Sequence, residues 1–337
     1  MSKVAPTLED VARIAGVSRA TVSRVVNGTR NVDPELQETV RNAIEQTGYT
    51  PNRVARSLVT RRTGTVALVI SGAGGGSDVF TDPFFGRVTA GVVDFLRGHS
   101  VHPVLMLADS DHARTEVVEF LRQGSADGAL LVSTHPADPL PARLLEAGVP
   151  SVLYARPGRP MPVSYVDMDH RAGGRLAADH LVAAGRYNIT AISGPMDVLA
   201  SQDRHAGFRD AMARHGFPYV PTVEGGFTAE SGAAAMHRLL VECPDLDAVF
   251  AANDLMAQAA VDVLHEHGLR VPDDVAVVGF DDSAPALACR PQLTTIRQPV
   301  ERIAAQMADL LLADLEKPGQ RPKSVIFEPE LVVRASA

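Results

Sequence analysis

Apolar and polar positions follow two different periods along the chain, and the change falls near residue 64. Before it, apolar residues recur at helical spacing in short runs. Leu8, Val11, Ala12 and Ala15 share one face of LEDVARIA, and Val17, Val22, Val25 and Val26 supply an opposing apolar surface. Thr7 and Ser18 stand before the first and second runs as N-caps, because each hydroxyl can accept from an orphan amide of the following turn. Gly16 suits the left-handed turn that stops one helix and starts the next about 90–120° away. A third helix is expected from about Pro34 to Thr47, with Asp33 as its cap, Pro34 in its first turn, and Leu36, Val40 and Ile44 turned inward.

From Thr65 onward the runs are short, continuous and β-rich, at 65–71, 102–108, 128–133, 151–155, 188–193, 219–225, 248–252, 275–280 and 293–299. Helical stretches lie between them. Continuous apolar strands alternating with helices predict parallel sheet covered on both faces. About 270 residues in two such series predict two doubly wound lobes whose facing strand ends share a ligand cleft. A helix over about 300–316 and a last strand near 325–334 predict that the chain crosses between lobes more than once.

Charge changes this picture at one end only. The 337 residues carry 32 Lys+Arg against 40 Asp+Glu, net −8. Residues 1–62 hold ten of the basic side chains and six of the acidic ones, net +4, which leaves −12 for the remainder. A basic head on an acidic body places polyanion binding at the N-terminus. Cys243 and Cys289 are the only cysteines, with no CxxC spacing, so a disulfide scaffold and a Cys-based zinc site are excluded and a reducing compartment is implied. The start has no apolar leader segment and no run reaches the ~18 apolar residues of a membrane span, so a cytoplasmic protein is expected.

The helix–turn–helix spacing suits a second helix lying in the DNA major groove, with Arg19, Ala20, Ser23 and Arg24 on its outer face. An ordinary helical hairpin with a solvated charged face fits the turn equally well. Two features favour DNA. The second helix carries arginines and hydroxyls but no carboxylate, and the segment from Pro51 to Arg62 holds four arginines and no acid. Leu58 amid those arginines suits a wedge between base steps, with packing against the body as the alternative.

Catalytic motifs are missing. Gly72-Ala73-Gly74-Gly75-Gly76-Ser77 follows a strand but fails GxGxxG, no Gly-Lys pair makes a P-loop, and a flexible loop at the cleft edge is expected there. His265-Glu266-His267 is not HExxH, and no serine sits in GxSxG. No enzyme activity, cofactor or metal is expected.

TLEDVARIAGVSRATVSRVVNG, followed by YTPNRVARSLVTRRTGTVALVI, resembles the head piece and hinge helix of the LacI/GalR family of bacterial transcription regulators, and the likeness continues along nearly the whole chain. It implies an all-α helix-turn-helix head piece joined to an α/β core like the periplasmic sugar-binding proteins, made of two doubly wound parallel-sheet lobes. The implied division is 1–50 for the DNA-binding head, 51–63 for the hinge helix and linker, and 64–337 for the effector-binding and dimerisation core. Within the core the expected N-lobe is about 64–163 plus 295–320, and the C-lobe about 164–294 plus 321–337.

The resemblance gives Arg19 and Ala20 the role of the specificity pair, Ser18 that of a phosphate-contacting hydroxyl, and Arg24 and Asn27 further DNA contacts. Leu58 becomes the hinge leucine of the central minor groove. Thr7, Thr21, Ser23, Asn52, Arg53, Ala55 and Arg56 complete the implied DNA surface. For an effector it implies Phe84 and Phe85 in Asp82-Pro83-Phe84-Phe85, with Arg204, Phe227, Asn253 and Asp281. These suit a polyol: carboxylate and amide for hydroxyls, guanidinium as donor, aromatic faces for a sugar ring. One or other of Phe84 and Phe85 can equally be core, and Asn253, Asp254 and Asp282 can equally cap helices. Where many relatives carry an acid after the fourth strand this chain has Ala155 and then Arg156, so a larger or differently oriented sugar near Arg156 or Tyr154 is expected.

The implied function is a repressor of carbohydrate genes, binding a near-palindromic operator as a homodimer and controlled by a mono- or oligosaccharide. The chain stops soon after VVRASA, which favours a dimer over a tetramer held by a terminal coiled coil. Two other classes remain open on the residues: an enzyme such as a sugar kinase with a DNA-binding head, and a plain sugar-binding protein.

Overall fold

The computed structural model describes residues 6–26, 32–49, 62–72, 81–133 and 135–337. The chain divides into two units, Met1–Gly64 and Thr65–Ala337.

In the first unit, α1 (Leu8–Ala15), α2 (Arg19–Val26) and α3 (Pro34–Thr47) form where the caps place them. Thr7 and Asp10 make a reciprocal capping box, and Gly16 ends α1 at φ 66°. The Ser18 hydroxyl accepts from Thr21 N at 3.1 Å and opens α2. Asp33 accepts from Glu35 N at 2.9 Å. The small core holds Val11, Ala12, Val22, Val40, Ala43 and Tyr49. Leu36, expected inside, is 39% exposed. The buried residues of α3 begin at Val40, so the first turn of that helix overhangs the core, which Tyr49 joins from beyond the other end of the helix.

In the second unit each lobe is one six-stranded sheet. β1 (Thr65–Ser71), β2 (His102–Ala108), β3 (Ala129–Ser133), β4 (Ser151–Tyr154), β5 (Ser164–Met168) and a late strand, β11 (Ser324–Phe327), make the first, in the order β11-β5-β4-β3-β1-β2 and parallel throughout. β6 (Ile189–Ser193), β7 (Thr222–Glu224), β8 (Ala248–Ala251), β9 (Ala276–Asp281), β10 (Thr294–Arg297) and β12 (Glu330–Val332) make the second, in the order β12-β10-β9-β8-β6-β7. Only the β10–β12 pairing is antiparallel among the described strands.

The lobe division differs from the expected one in three places. Ser164–Met168 was absent from the expected strands and falls just past the expected N-lobe boundary, yet β5 pairs with β4 in the first sheet. β10 belongs to the second sheet although 295–320 was assigned to the first lobe. The single last strand near 325–334 is two strands, broken at Pro329, which has no N–H to continue a ladder, and the two join different sheets. The strand expected over 219–225 is reduced to Thr222–Glu224. The chain thus crosses between lobes after β5, after β10 and between β11 and β12.

The helices that matter for the cleft are α4 (Pro83–Arg97) and α12 (Val300–Glu316) on the first lobe, and α7 (His170–Ala183), α8 (Leu199–Arg214) and α10 (Asp254–Glu266) on the second. α7 and α8 meet backbone to backbone. A Cβ on Gly174 would lie 2.1 Å from Arg204 O, and one on Gly207 2.0 Å from Arg171 O. Only glycine permits that approach, which sets the depth at which α8 presents Arg204.

Candidate functional site

On the head, Thr7, Ser18, Arg19, Ala20 and Arg24 are exposed, while Thr21 and Ser23 are half-buried. The hydroxyls of Ser18 and Thr21 lie 2.9 Å apart. Although α2 carries no acid of its own, Glu9 of α1 comes within 3.1 Å of Arg19 Nε. Asn27, Asn52, Arg53, Ala55, Arg56 and Leu58 lie outside the described residues, as does the glycine loop beyond Gly72.

Between the lobes of the second unit lies a cleft of about 810 Å³, bordered by Phe84, Phe85, Tyr154, Arg204, Phe227, Asn253, Asp281 and Gln298 among others. All six residues expected at an effector site therefore meet in one place. Asp82 opens α4 by accepting from Phe84 N at 2.9 Å, and this cap turns Phe84 toward the cleft. Phe84 stands edge-on to Tyr154, with ring centroids 5.1 Å apart. Phe85 reaches the cleft as well but is mostly committed to the core.

Arg204 is buried, and its guanidinium stacks 3.8 Å from the centre of the Phe280 ring. Its Nε donates to His170 Nδ1 at 3.3 Å, Nη1 to Ala252 O at 2.6 Å and Nη2 to Gln298 Oε1 at 2.8 Å. A guanidinium has five N–H groups, so two remain unspent. Asp281 Oδ1 lies 3.2 Å from Arg204 Nη2. The pair is not aligned for a hydrogen bond, and that buried oxygen has no hydrogen-bond partner. Burial pushes the Asp281 carboxyl up to about 6, against the pull of Arg204 and with Asp82 nearby adding to the rise. Burial also raises Asp82, despite its hydrogen bond from Phe84 N and the charge of Arg204.

Behind this wall sits a second buried acid. Asp254 accepts from Ser283 N at 2.7 Å, from the Ser283 hydroxyl at 2.9 Å and from Thr295 Oγ1 at 2.6 Å. Burial and then the charge of Asp281 push it up to about 7. Asn253 does cap α10, accepting from Met256 N at 2.9 Å, while its Nδ2 donates to Phe227 O at 2.9 Å. Its amide is thus largely engaged in holding the Phe227 turn. Asp282, read as a possible helix cap, instead takes Arg297 and Arg334 as ion-pair partners. His267 Nδ1 lies 2.8 Å from Val263 O at the end of α10, and no metal-binding cluster occurs among the described residues.

Three of the described non-glycine residues with left-handed backbone border the cleft: Ala155 (φ 73°), Phe227 (φ 64°) and Asp281 (φ 102°). Such conformations persist where surrounding contacts over-determine them, and they cluster at ligand sites. Arg156, after Ala155, pairs across the cleft with Asp203 of α8, and His135 lies 3.3 Å from Asp197. Arg87 of α4 donates to Asp281 O at 2.9 Å and Gln298 O at 3.1 Å, and its Nε reaches Glu301 at 2.6 Å. Sequence reasoning missed Arg87, His170 and Gln298. Arg87 was signalled only by a charge inside an apolar stretch, and His170 and Gln298 stand among other polar residues, a setting that does not distinguish buried from solvated.

Residues 7–52 match the model of the bacterial regulatory proteins of the lacI family, and residues 159–337 match the periplasmic binding protein-like domain. The chain is 45% identical over 335 residues to the HTH-type transcriptional regulator CelR of Thermobifida fusca, covering 98% of each. Among solved structures it is similar to a transcriptional regulator CelR–cellobiose complex, with a TM-score of 0.77 and 43% identity over 98% of this chain and 100% of that one. It is also similar to the lac repressor dimer bound to operator and the anti-inducer ONPF, with a TM-score of 0.84 and 27% identity over 99% of each chain.

Proposed function

The chain belongs to the lacI family of bacterial regulatory proteins, and from that membership we propose that it represses carbohydrate-uptake or catabolic genes by binding a near-palindromic operator as a homodimer, under control of a small sugar held between its lobes. Arg19 and Ala20 face base edges, Ser18, Thr21 and Thr7 face phosphates, and Ser23 and Arg24 flank them. The hinge segment supplies Asn52, Arg53, Ala55, Arg56 and the Leu58 wedge, and Asn27 closes the recognition surface. Two recognition helices enter successive major grooves about 10 base pairs apart.

The observation that carries the effector reading is the buried Asp281 oxygen without a hydrogen-bond donor, beside an arginine with two N–H groups unspent. A sugar hydroxyl pair supplies the donor and takes the N–H, while Phe84 and Phe227 cover the apolar faces of a ring. A volume of about 810 Å³ lies in the upper part of the roughly 300–1,000 Å³ range of ligand pockets and favours more than one ring. With Ala155 in place of an acid, and a relative solved with cellobiose, the effector class we favour is a neutral glucose disaccharide.

The test is selection of DNA from a random pool at fixed salt, since phosphate contacts dominate raw affinity, repeated with a saccharide panel that includes cellobiose. A two-fold symmetric site whose binding changes with one disaccharide is expected. Sugar binding without any enriched DNA site overturns the repressor reading; an enriched site indifferent to every sugar overturns the effector reading.

A further inference from the structure

One buried titratable group has no part in the sugar contacts described above. His170, the first residue of α7, is 5% exposed and stands at the point where the chain leaves the first sheet for the second lobe. Its Nδ1 accepts from Arg204 Nε, so the ring proton belongs on Nε2, which lies 3.5 Å from Asp167 Oδ1. Burial, and then the charge of Arg204, hold this imidazole below its ordinary pKa against the pull of Asp167 and Asp203, which keeps the ring neutral and Nδ1 free to accept. The groups facing it are Asp167 from β5, Arg204 and Asp203 from α8, and the Phe280 ring of β9, with centroids 6.0 Å apart.

Asp167 is itself anchored in the first lobe, accepting from Met168 N at 2.8 Å and Arg156 N at 3.0 Å. Burial acts to raise its pKa, but the bonds from His170 and the two amides outweigh it and hold the carboxyl below the usual range. On the opposite side of the guanidinium, Gln298 accepts from Arg204 and donates to the Tyr154 hydroxyl at 2.9 Å. Gln298 lies in the second crossover. Arg204 therefore belongs to the second lobe by its helix, yet it is tied to β5 through His170 at the first crossover and to β4 through Gln298 at the second.

We propose that His170 is a positioning residue of the effector cleft: as the neutral Nε2–H tautomer it holds Arg204 in its cleft-facing orientation and links it to Asp167, so that a ligand drawn onto Arg204 is felt at the first crossover. The consequence for a ligand rests on the effector reading above; the tautomer and the hold on Arg204 do not. Removing the acceptor frees Nε, and the guanidinium swings about its stem to find another partner. Asn at this position returns an acceptor oxygen near the place of Nδ1 without the bond to Asp167, whereas Phe keeps a buried ring with no acceptor.

The experiment combines a sugar-free and a sugar-bound readout on the full chain. With ¹⁵N-labelled histidine and arginine, the sugar-free protein is expected to show His170 unprotonated at Nδ1 and a slowly exchanging Arg204 Nε–H signal, assigned by its loss in Arg204→Lys. That signal disappears in His170→Phe and survives in His170→Asn. In calorimetry with cellobiose, His170→Phe weakens binding about 10-fold or more, and His170→Asn recovers most of the loss. A proton on Nδ1 in the unmodified protein overturns the proposal even if the Phe variant does not fold. So does an unchanged Arg204 signal in His170→Phe, or equal cellobiose losses in both variants. If the unmodified protein binds no saccharide, the effector reading fails, while the sugar-free spectra still decide the role of His170.

Discussion

The two walls of the cleft are built differently. The first lobe contributes chiefly rings, Phe84, Phe85 and Tyr154, of which Phe84 and Tyr154 meet edge-on and Tyr154 carries a hydroxyl, with Asp82 and Arg156 beside them. The second contributes charge, Arg204 and Asp281, set on residues whose backbones are locked by the glycine contacts of α7 and α8 and by the left-handed turns at Phe227 and Asp281. Polar recognition needs donors and acceptors placed to within a fraction of an ångström, and apolar cover does not. The backbone contacts that fix the charged groups accordingly concentrate on the second lobe, and Arg87 ties the first lobe to it through Asp281 O and Gln298 O.

The sharpest way to break this contrast is Arg204→Ala. It leaves Asp281 buried without its neighbouring cation and deprives Gln298 Oε1 and Ala252 O of donors. A stability loss of about 3–5 kcal/mol is expected in denaturant unfolding, together with loss of sugar response. If midpoint and sugar affinity both stay put, polar recognition does not reside in the second lobe. Tyr154→Phe tests the hydroxyl that the first lobe sets among its rings. It orphans Gln298 Nε2 at a cost of about 1–3 kcal/mol; a thermal shift no larger than that of a surface substitution makes Tyr154 a ring like the others.

Asp254 and Asp281 sharpen the contrast through pH. Both titrate higher in the folded protein, at about 7 and about 6, than an unfolded aspartate near 3.8. Their contribution is fully present below the unfolded value and is lost as pH rises through 6 and 7. Asp254→Asn should therefore flatten stability against pH, relative to the unmodified protein, by on the order of 2 kcal/mol between pH 5 and 7.5. Parallel curves for the two proteins show that Asp254 is ionised throughout.

The smallest effect is expected at the rim. Arg156→Gln breaks the cross-cleft pair with Asp203, which is partly exposed. The change in stability should stay within about 1 kcal/mol and shrink further in salt. A salt-independent loss well above that makes the rim pair part of the rigid wall.

Much of this was legible before the structure. Arg204 and Asp281 were expected by resemblance, and Arg156 and Tyr154, singled out beside the departure at Ala155, border the cleft with them. Asn253 shows the limit: the same amide satisfies the cap of α10 and the Phe227 turn, and both roles read alike in a sequence. Leu36 was misplaced because a helical period marks a face but not where along the helix the partner ends.

The features that follow from neighbouring residues are local. The caps at Thr7, Ser18 and Asp33, the turn at Gly16, the alternation of apolar strands with helices and the basic head on an acidic body all depend on residues a few positions apart. Long-range packing sets which sheet a strand joins and which polar groups share the interior. β5, β10 and β11 each sit on the other side of the expected boundary, since a ladder of backbone hydrogen bonds takes any strand of suitable length. The bonds from Arg87 to Glu301 and from Gln298 to Tyr154 join residues 214 and 144 positions apart. No period or spacing encodes such pairs; they form because a polar group carried inside by its neighbours must find a partner there or cost the fold its desolvation.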